Sequence, residues 1–256
     1  MTSQMFKNLL KEKKNLVFIG EAGSGKSELA INFALEIVKN TDKDVHFFDM
    51  DQVKPLFRSR DVAVQMEAEG IIFHCEHQLL DSPVVVSGVR EQLADPESIV
   101  LMDIGGNEVG ARMIGQFADI LNSDTTMVFF VINTYRPWSK DTESIRETIF
   151  KITRVSRLNN IRIISNPNCG PTTTAEEVIG GNRKLEAMLK GAYQIDYVCV
   201  LEKLVDQVSE QISEELIPVE IHILYPWLQD RPKVMVRNGP GLDPNHFVRL
   251  ANIDTD

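Results

Sequence analysis

Long apolar runs are missing from this chain. No stretch approaches the roughly 18 consecutive apolar residues that a membrane-spanning helix needs, so no integral membrane segment is expected. Cysteine is scarce. Cys75, Cys169 and Cys199 are odd in number, far apart and form no C-x-x-C pair, which argues against a disulfide framework or a zinc ribbon. Positive charge is in deficit: 27 Lys and Arg stand against 37 Asp and Glu, a formal charge of −10. An acidic chain is a poor general ligand for nucleic acid or an anionic membrane, so no nucleic-acid partner is expected. The opening MTSQMFKNLLKEKKN is basic but has no apolar h-region, so no secretory leader is expected. Internal repeats and low-complexity tracts are also lacking. These absences predict a reduced, cytoplasmic, soluble protein. The rest is ordinary globular composition: 256 residues, 43% hydrophobic and 25% charged.

Short apolar runs recur between helical patterns. Strands are expected at Asn15 to Gly20, Val45 to Met50, Ile71 to His74, Val84 to Ser87, Ile99 to Ile104, Met127 to Asn133, Ile161 to Asn166 and Ile195 to Leu201. A later one is expected at Val219 to Leu224. Helices are expected over Ser24 to Lys39, Arg60 to Glu69, Glu108 to Leu121, Asp141 to Leu158, Thr174 to Lys190 (with a break at Gly180-Gly181) and Lys203 to Leu216. Continuous apolar strands alternating with helices predict a mainly parallel sheet covered on both faces. The right-handed crossover rule makes it a three-layer, doubly wound α/β fold. One domain is expected over 1–256, with a core at about 15–225 and an irregular extension at 226–256, in which Arg231 to Asn245 is rich in Pro and Gly and is expected to loop.

The most specific string is Gly20-Glu21-Ala22-Gly23-Ser24-Gly25-Lys26-Ser27, which fits G-x-x-x-x-G-K-[ST] between a strand and a helix. Glycines admit positive φ and let a phosphate approach the main chain. The N–H groups of Gly20, Ala22, Gly23, Ser24 and Gly25, with those of Lys26, Ser27 and Glu28 at the helix start, are read as an anion nest. Lys26 is expected on the β- and γ-phosphates, and Ser27 on Mg²⁺. Glu21, acidic beside the expected phosphates, is expected to point away.

With this loop in place the chain resembles the P-loop NTPase superfamily. Within it, the chain resembles the signal-recognition/MinD/BioD class, in particular MinD/ParA-like and cobyrinate-synthetase-like nucleotide-binding proteins. The resemblance spans roughly residues 15 to 200 as an order of elements. It departs where MinD/ParA-type loops carry a second lysine: this chain has Glu21 and Ala22 there. The dimer-bridging role of that lysine therefore does not carry over.

Acidic strand ends complete the expected site. Asp103 closes IVLMD and reads as a Walker B magnesium carboxylate. Gly106 completes D-x-x-G, where a main-chain N–H would sense the γ-phosphate. Asp49 and Asp51 flank Met50, and period 2 puts them on one side of an extended chain. The resemblance implies that Asp51 orients the attacking water and that Asp49 helps to order the metal. Arg58 and Arg60 lie in a switch-like loop, either on phosphate charge or as surface partners of acids such as Asp61. Neither Asn133-Thr134-Tyr135-Arg136 nor Asn166-Pro167-Asn168-Cys169 supplies the Asp of the guanine-reading N-K-x-D string. ATP is therefore favoured over GTP, and Asn166 and Pro167 resemble an adenine-side loop. Tyr135-Arg136-Pro137-Trp138 reads equally as a partner or base platform and as a helix staple. Thr172 to Thr174 are expected to cap the next helix.

The function expected is a Mg²⁺-dependent ATPase that switches a conformation or an assembly, with a protein partner or a homodimer. The alternatives are an ATP-dependent ligase or small-molecule kinase of dethiobiotin/cobyrinate-synthetase type, a nucleotide-binding module with negligible turnover, and a GTP-driven metallochaperone using His74-Cys75-Glu76-His77. On a strand, His74 and His77 would face opposite sides, which weakens the last.

Overall fold

The computed structural model describes residues 3–51, 62–75, 88–106 and 108–223. Residues Met1–Ile223 form one compact unit; Leu224–Asp256 group as a second and lie outside the described residues, as does the strand expected at Val84 to Ser87.

The chain runs α1 (Ser3–Glu12), β1 (Asn15–Ile19), α2 (Lys26–Val38), β2 (Asp44–Met50), α3 (Ala63–Ala68), β3 (Ile71–Cys75), α4 (Val89–Ala94), β4 (Ser98–Ile104), α5 (Glu108–Ile114), α6 (Ala118–Leu121) and β5 (Thr126–Ile132). It continues through α7 (Thr142–Ser156), β6 (Ile161–Ser165), α8 (Ala175–Leu189), β7 (Ile195–Leu201), α9 (Val205–Val208) and β8 (Glu215–Val219). The strands form one eight-stranded sheet in the order β3-β2-β4-β1-β5-β6-β7-β8. Every pairing is parallel. The fold is the expected three-layer α/β sandwich, with helices flanking a doubly wound sheet. The chain places β2, β3 and β4 on one side of β1, with β4 returning between β1 and β2, and then β5 to β8 on the other, so β1 lies at the topological switch. Ligands of such sheets gather beyond the carboxyl ends of the strands at that switch.

The core explains why β1 is central. Leu16 to Ile19, Leu101, Met102 and Phe129 to Ile132 are all essentially inaccessible, as strands covered on both faces must be. On one face Phe18 stacks on Phe129 at 5.2 Å, and Phe33 of α2 meets both edge-on. Phe6 of α1 packs on Phe33 at 5.1 Å. Burying a Phe stabilises by about 1.5–3 kcal/mol, so this aromatic stack fixes α2, and with it the loop that feeds α2.

Four expectations on elements need correction. Lys203 to Leu216 is not one helix. A 3₁₀ turn and the short α9 end at Val208, and β8 begins at Glu215, earlier than the expected strand at Val219. Gly180-Gly181 does not interrupt α8. Gly181 lies where the helix touches Pro167, Thr134 and Tyr135, with no room for a Cβ, so the glycine serves close packing rather than a break. Glu108 to Leu121 divides at a 3₁₀ turn over Gly115–Phe117. Helices α1 and α4 were not expected.

Candidate functional site

The loop between β1 and α2 has the geometry its glycines allow. Gly20, Gly23 and Gly25 take φ of 140°, 76° and 94°, values that L residues with a Cβ rarely adopt. Gly25 is the N-cap of α2 and makes no side-chain cap bond. The start of α2 therefore has no side-chain cap of the kind that closes most helix starts. Lys26 is 1% exposed, with Nζ 3.3 Å from the Glu21 carbonyl. Ser27 is buried beside it. Glu21 does not point away. Its carboxylate turns back to accept the Ala22 N–H at 3.0 Å, so in this conformation an acid covers one of the amides expected to meet phosphate. The amide is a strong nearby donor, and the short reach favours this turn over full solvation.

The acids converge on the same place. Asp49 of β2 and Asp103 of β4 are register partners on adjacent strands, and Phe18 of β1 is the next in the row. Residues in register share a face, so both carboxylates lie on the face that α2 covers. Asp49 and Asp103 are 1% and 0% exposed. Asp51 is 3% exposed, and its N–H donates to Asp49 Oδ1 at 3.0 Å. Gly105 fits against Asp51: a Cβ there would meet Asp51 Oδ1 at 3.2 Å. Gly106 lies on the phosphate loop itself, since its Cβ would fall 2.6 Å from Ala22 N and 2.8 Å from Ala22 Cα. The D-x-x-G turn, the loop and Asp51 thus form one packed unit.

Two buried carboxylates on neighbouring strands call for positive charge close by. Their hard oxygen donors, with the hydroxyl of Ser27, suit Mg²⁺, which takes few protein ligands and completes its shell with water and phosphate. Among the described residues no group of three His, Cys, Asp or Glu is placed to hold a metal by itself.

Loops after β5 and β6 close on the outer side of the phosphate loop. Asn166, expected beside the base, is buried and donates Nδ2 to the Ser24 carbonyl at 2.7 Å. Arg136 Nε donates to the Gly23 carbonyl at 2.9 Å, and Trp138 Nε1 to the Ala22 carbonyl at 3.2 Å. Asn133 is a staple between these loops. It donates to the Asn168 carbonyl at 2.8 Å and accepts the Tyr135 N–H at 3.0 Å. Thr174, one of the three expected capping threonines, caps α8.

Sequence reasoning missed two groupings. His74 of β3 meets a residue of another strand. Its Nε2 lies 2.9 Å from His46 Nδ1 on β2, with the rings stacked. Burial pushes both imidazoles below their ordinary pKa, and His46 lowers His74 further. Cys75 lies in the other register row, opposite Asp49. Alternation along β2 and β3 would have suggested these pairs only once the two strands were known to be neighbours. Glu28 is the second case. Its carboxylate accepts the N–H groups of His222 at 2.5 Å and Ile223 at 3.1 Å, after β8. Burial lifts it to about 7, against the lowering by those two amides. Its side chain is turned from the phosphate loop, and only its main chain remains at the helix start. Arg58, Arg60, Asp61, Glu76 and His77 lie outside the described residues.

No family model and no curated protein matches the chain. Among solved structures, the 54 kDa signal recognition particle protein from Aeropyrum pernix K1, in complex with GDP, is 18% identical with a TM-score of 0.46. The alignment covers 75% of this chain and 46% of that one. The signal recognition particle receptor FtsY from Elizabethkingia anophelis is 15% identical, TM-score 0.48, over 80% of this chain and 65% of that one. A nucleotide-binding protein from Archaeoglobus fulgidus, in complex with ADP, is 17% identical, TM-score 0.42, over 77% and 85%. The chain spans less than two thirds of the length of the first two. Likenesses this distant leave the chemistry to be argued from the residues of this chain.

Proposed function

We propose that the protein is a Mg²⁺-dependent P-loop nucleoside triphosphatase whose nucleotide state switches a conformation or an assembly. The observation that carries this reading is the packing of Gly106 on Ala22. It brings the acidic strand ends to the loop that presents Lys26, which supports a reading with amides and an ammonium for phosphate beside carboxylates for a metal.

Each residue has a separable task. The loop amides and the start of α2 bind the phosphate chain, and Lys26 neutralises its outer charge. Ser27, Asp49 and Asp103 would hold Mg²⁺, which when bound draws charge from the phosphate oxygens. Asp51, fixed through its own N–H to Asp49, is the group for orienting the attacking water. Gly106 presents a main-chain N–H toward the terminal phosphate. Switching follows from the same contact: a loop that moves on hydrolysis must carry Gly106, and Asp51 behind it, along.

ATP is the nucleotide we propose. The loop after β6 presents Asn166, Pro167, Asn168 and Cys169, with an exposed thiol where a guanine reader needs a carboxylate. Assembly with a protein partner or a second copy belongs to the same proposal.

Calorimetry with Mg–ATP on wild type and Lys26→Ala tests the reading. Binding that Lys26→Ala abolishes is expected, and equal affinity in the two would overturn it. Asp51→Asn should keep ATP affinity and slow single-turnover hydrolysis; a wild-type rate would remove the water-orienting role. In competition for the site ATP should displace GTP. The reverse order would overturn the choice of base and leave the triphosphatase reading standing.

A further inference from the structure

Arg136 and Trp138 take no part in the chemistry proposed above, yet each reaches across more than a hundred residues of sequence to the phosphate loop. Their targets are main-chain oxygens, those of Gly23 and Ala22. Asn166 takes the oxygen of Ser24. Three consecutive loop carbonyls are therefore held by side chains from the loops after β5 and β6.

A trans peptide is planar, and its C=O and N–H point in opposite directions. Holding the oxygens of residues 22, 23 and 24 orients the N–H groups of Gly23, Ser24 and Gly25 to the other side. Ser24 N–H closes a turn to the Glu21 carbonyl at 3.2 Å. Gly23 and Gly25 are the residues with most freedom to rotate away, because neither has a Cβ. An external hold has its greatest effect there. Arg136 lies against Gly23, so that a Cβ on that glycine would be 3.1 Å from Arg136 Nε.

The arms have a stiff base. Ser139 is 0% exposed, and its Oγ donates to the carbonyls of Asn133 at 2.5 Å and Arg136 at 2.8 Å. Ser139 N–H also donates to the Arg136 carbonyl at 3.0 Å. Pro137 opens the 3₁₀ turn that carries Trp138. The main chain that bears the two donors is thus ordered by buried bonds of its own.

We propose that Arg136 and Trp138 are positioning residues for nucleotide binding: they pre-order the amides of the phosphate loop by gripping its carbonyls from outside. The inference rests on the nucleotide-binding reading above. A loop ordered in advance loses less freedom when phosphate arrives, which raises affinity without adding a contact to the ligand. The arginine acts here as a donor at Nε rather than as a charge on phosphate.

That distinction sets the experiment. Gln places an amide nitrogen at the same point along its side chain as Arg Nε, without the charge. Mg–ATP binding and hydrolysis by the full chain are compared for Arg136→Ala, Arg136→Gln and Trp138→Phe, with Lys26→Ala alongside. Arg136→Ala and Trp138→Phe should each raise Kd and KM about 5–20-fold, the scale of one lost hydrogen bond. The loss should fall on KM and spare kcat, with the melting temperature of the nucleotide-free protein held. Arg136→Gln should recover most of the affinity. If Arg136→Gln is as weak as Arg136→Ala and kcat falls in both, the charge acts on phosphate and the positioning role is overturned. Unchanged Kd in Arg136→Ala and Trp138→Phe, beside Lys26-dependent binding in wild type, overturns the inference alone. Equal binding by wild type and Lys26→Ala overturns the nucleotide reading and this inference with it.

Discussion

Helices α2 and α8 both begin at the carboxyl edge of the sheet, and both carry a glutamate at the third position of the first turn, yet the two starts are satisfied in opposite ways. In α8 the arrangement is local. Thr174 Oγ1 accepts the Glu177 N–H at 3.3 Å, and Glu177 Oε2 accepts the Thr174 N–H at 2.8 Å, a reciprocal capping box. In α2 the cap is Gly25 with φ 94° and no side-chain bond. Its third-position Glu28 reaches His222 and Ile223, 194 and 195 residues away. A helix that only supports the fold satisfies its own amides. The helix that follows the glycine-rich loop begins without a side-chain cap and uses its glutamate on distant chain.

Lys26→Ala separates the two starts most sharply. Removing the ammonium should weaken Mg–ATP binding by about 100-fold or more, the scale of a charge-assisted contact to phosphate with its neighbours disturbed. Calorimetry checks this. Gly25→Ala attacks the cap itself. A left-handed Ala costs about 1–2 kcal/mol, and its Cβ would run into Asn166 Nδ2. Lower thermal stability together with about tenfold weaker nucleotide binding is expected; a wild-type affinity would mean the loop does not need this backbone conformation.

Thr174→Ala is the matched change in α8. It should cost about 1 kcal/mol, a fall of about 2–4 °C in melting temperature, with ATP affinity unchanged. An affinity loss comparable to that of Gly25→Ala would erase the distinction between the helices.

Glu28→Gln sharpens the comparison through pH. Glu28 is raised from 4.5 to about 7 in the folded protein. Its contribution to stability is therefore fully present below about 4.5 and is lost as pH rises through about 7. The difference in stability between wild type and Glu28→Gln should shift against wild type as pH rises from 5 to 8. His46, His74 and His222 are lowered by burial and act in the opposite direction, losing stability as pH falls below the ordinary imidazole value. His46 and His74 are common to both proteins and cancel in the difference, whereas His222, whose N–H meets the Glu28 carboxylate, is read from a His222→Ala background. A pH-independent difference would show that burial does not hold the Glu28 proton.

Legibility followed the range of the interactions. The glycine-rich turn between β1 and α2 was readable because its constraints are local: positive φ at fixed glycines, a strand before and a helix after. Asp49, Asp51 and Asp103 were readable as strand-end acids from their apolar neighbours. The register that sets Asp49 beside Asp103 depends on β4 inserting between β1 and β2, which no local pattern expresses. The 203–216 segment misled because Val205, Val208 and Ile212 have helical spacing, while pairing with β7 draws Glu215–Val219 into an edge strand. Pro218 is tolerated there because an edge strand leaves one row of main-chain groups unpaired. Helix α1 is not legible in the basic start, because what holds it is its docking through Phe6 on Phe33, a tertiary contact.

The order of residues by itself determined the alternation of strands and helices, the glycine-rich turn before α2 and the acids that end two strands, because periodicity and glycine conformation act over a few positions. Only the tertiary structure decided that Gly106 rests on Ala22, that Arg136 and Trp138 grip the loop from outside, and that Glu28 leaves the helix start for residues beyond β8. Those outcomes depend on which strands become neighbours. That choice is made by burying the whole apolar surface at once, so no single segment carries it.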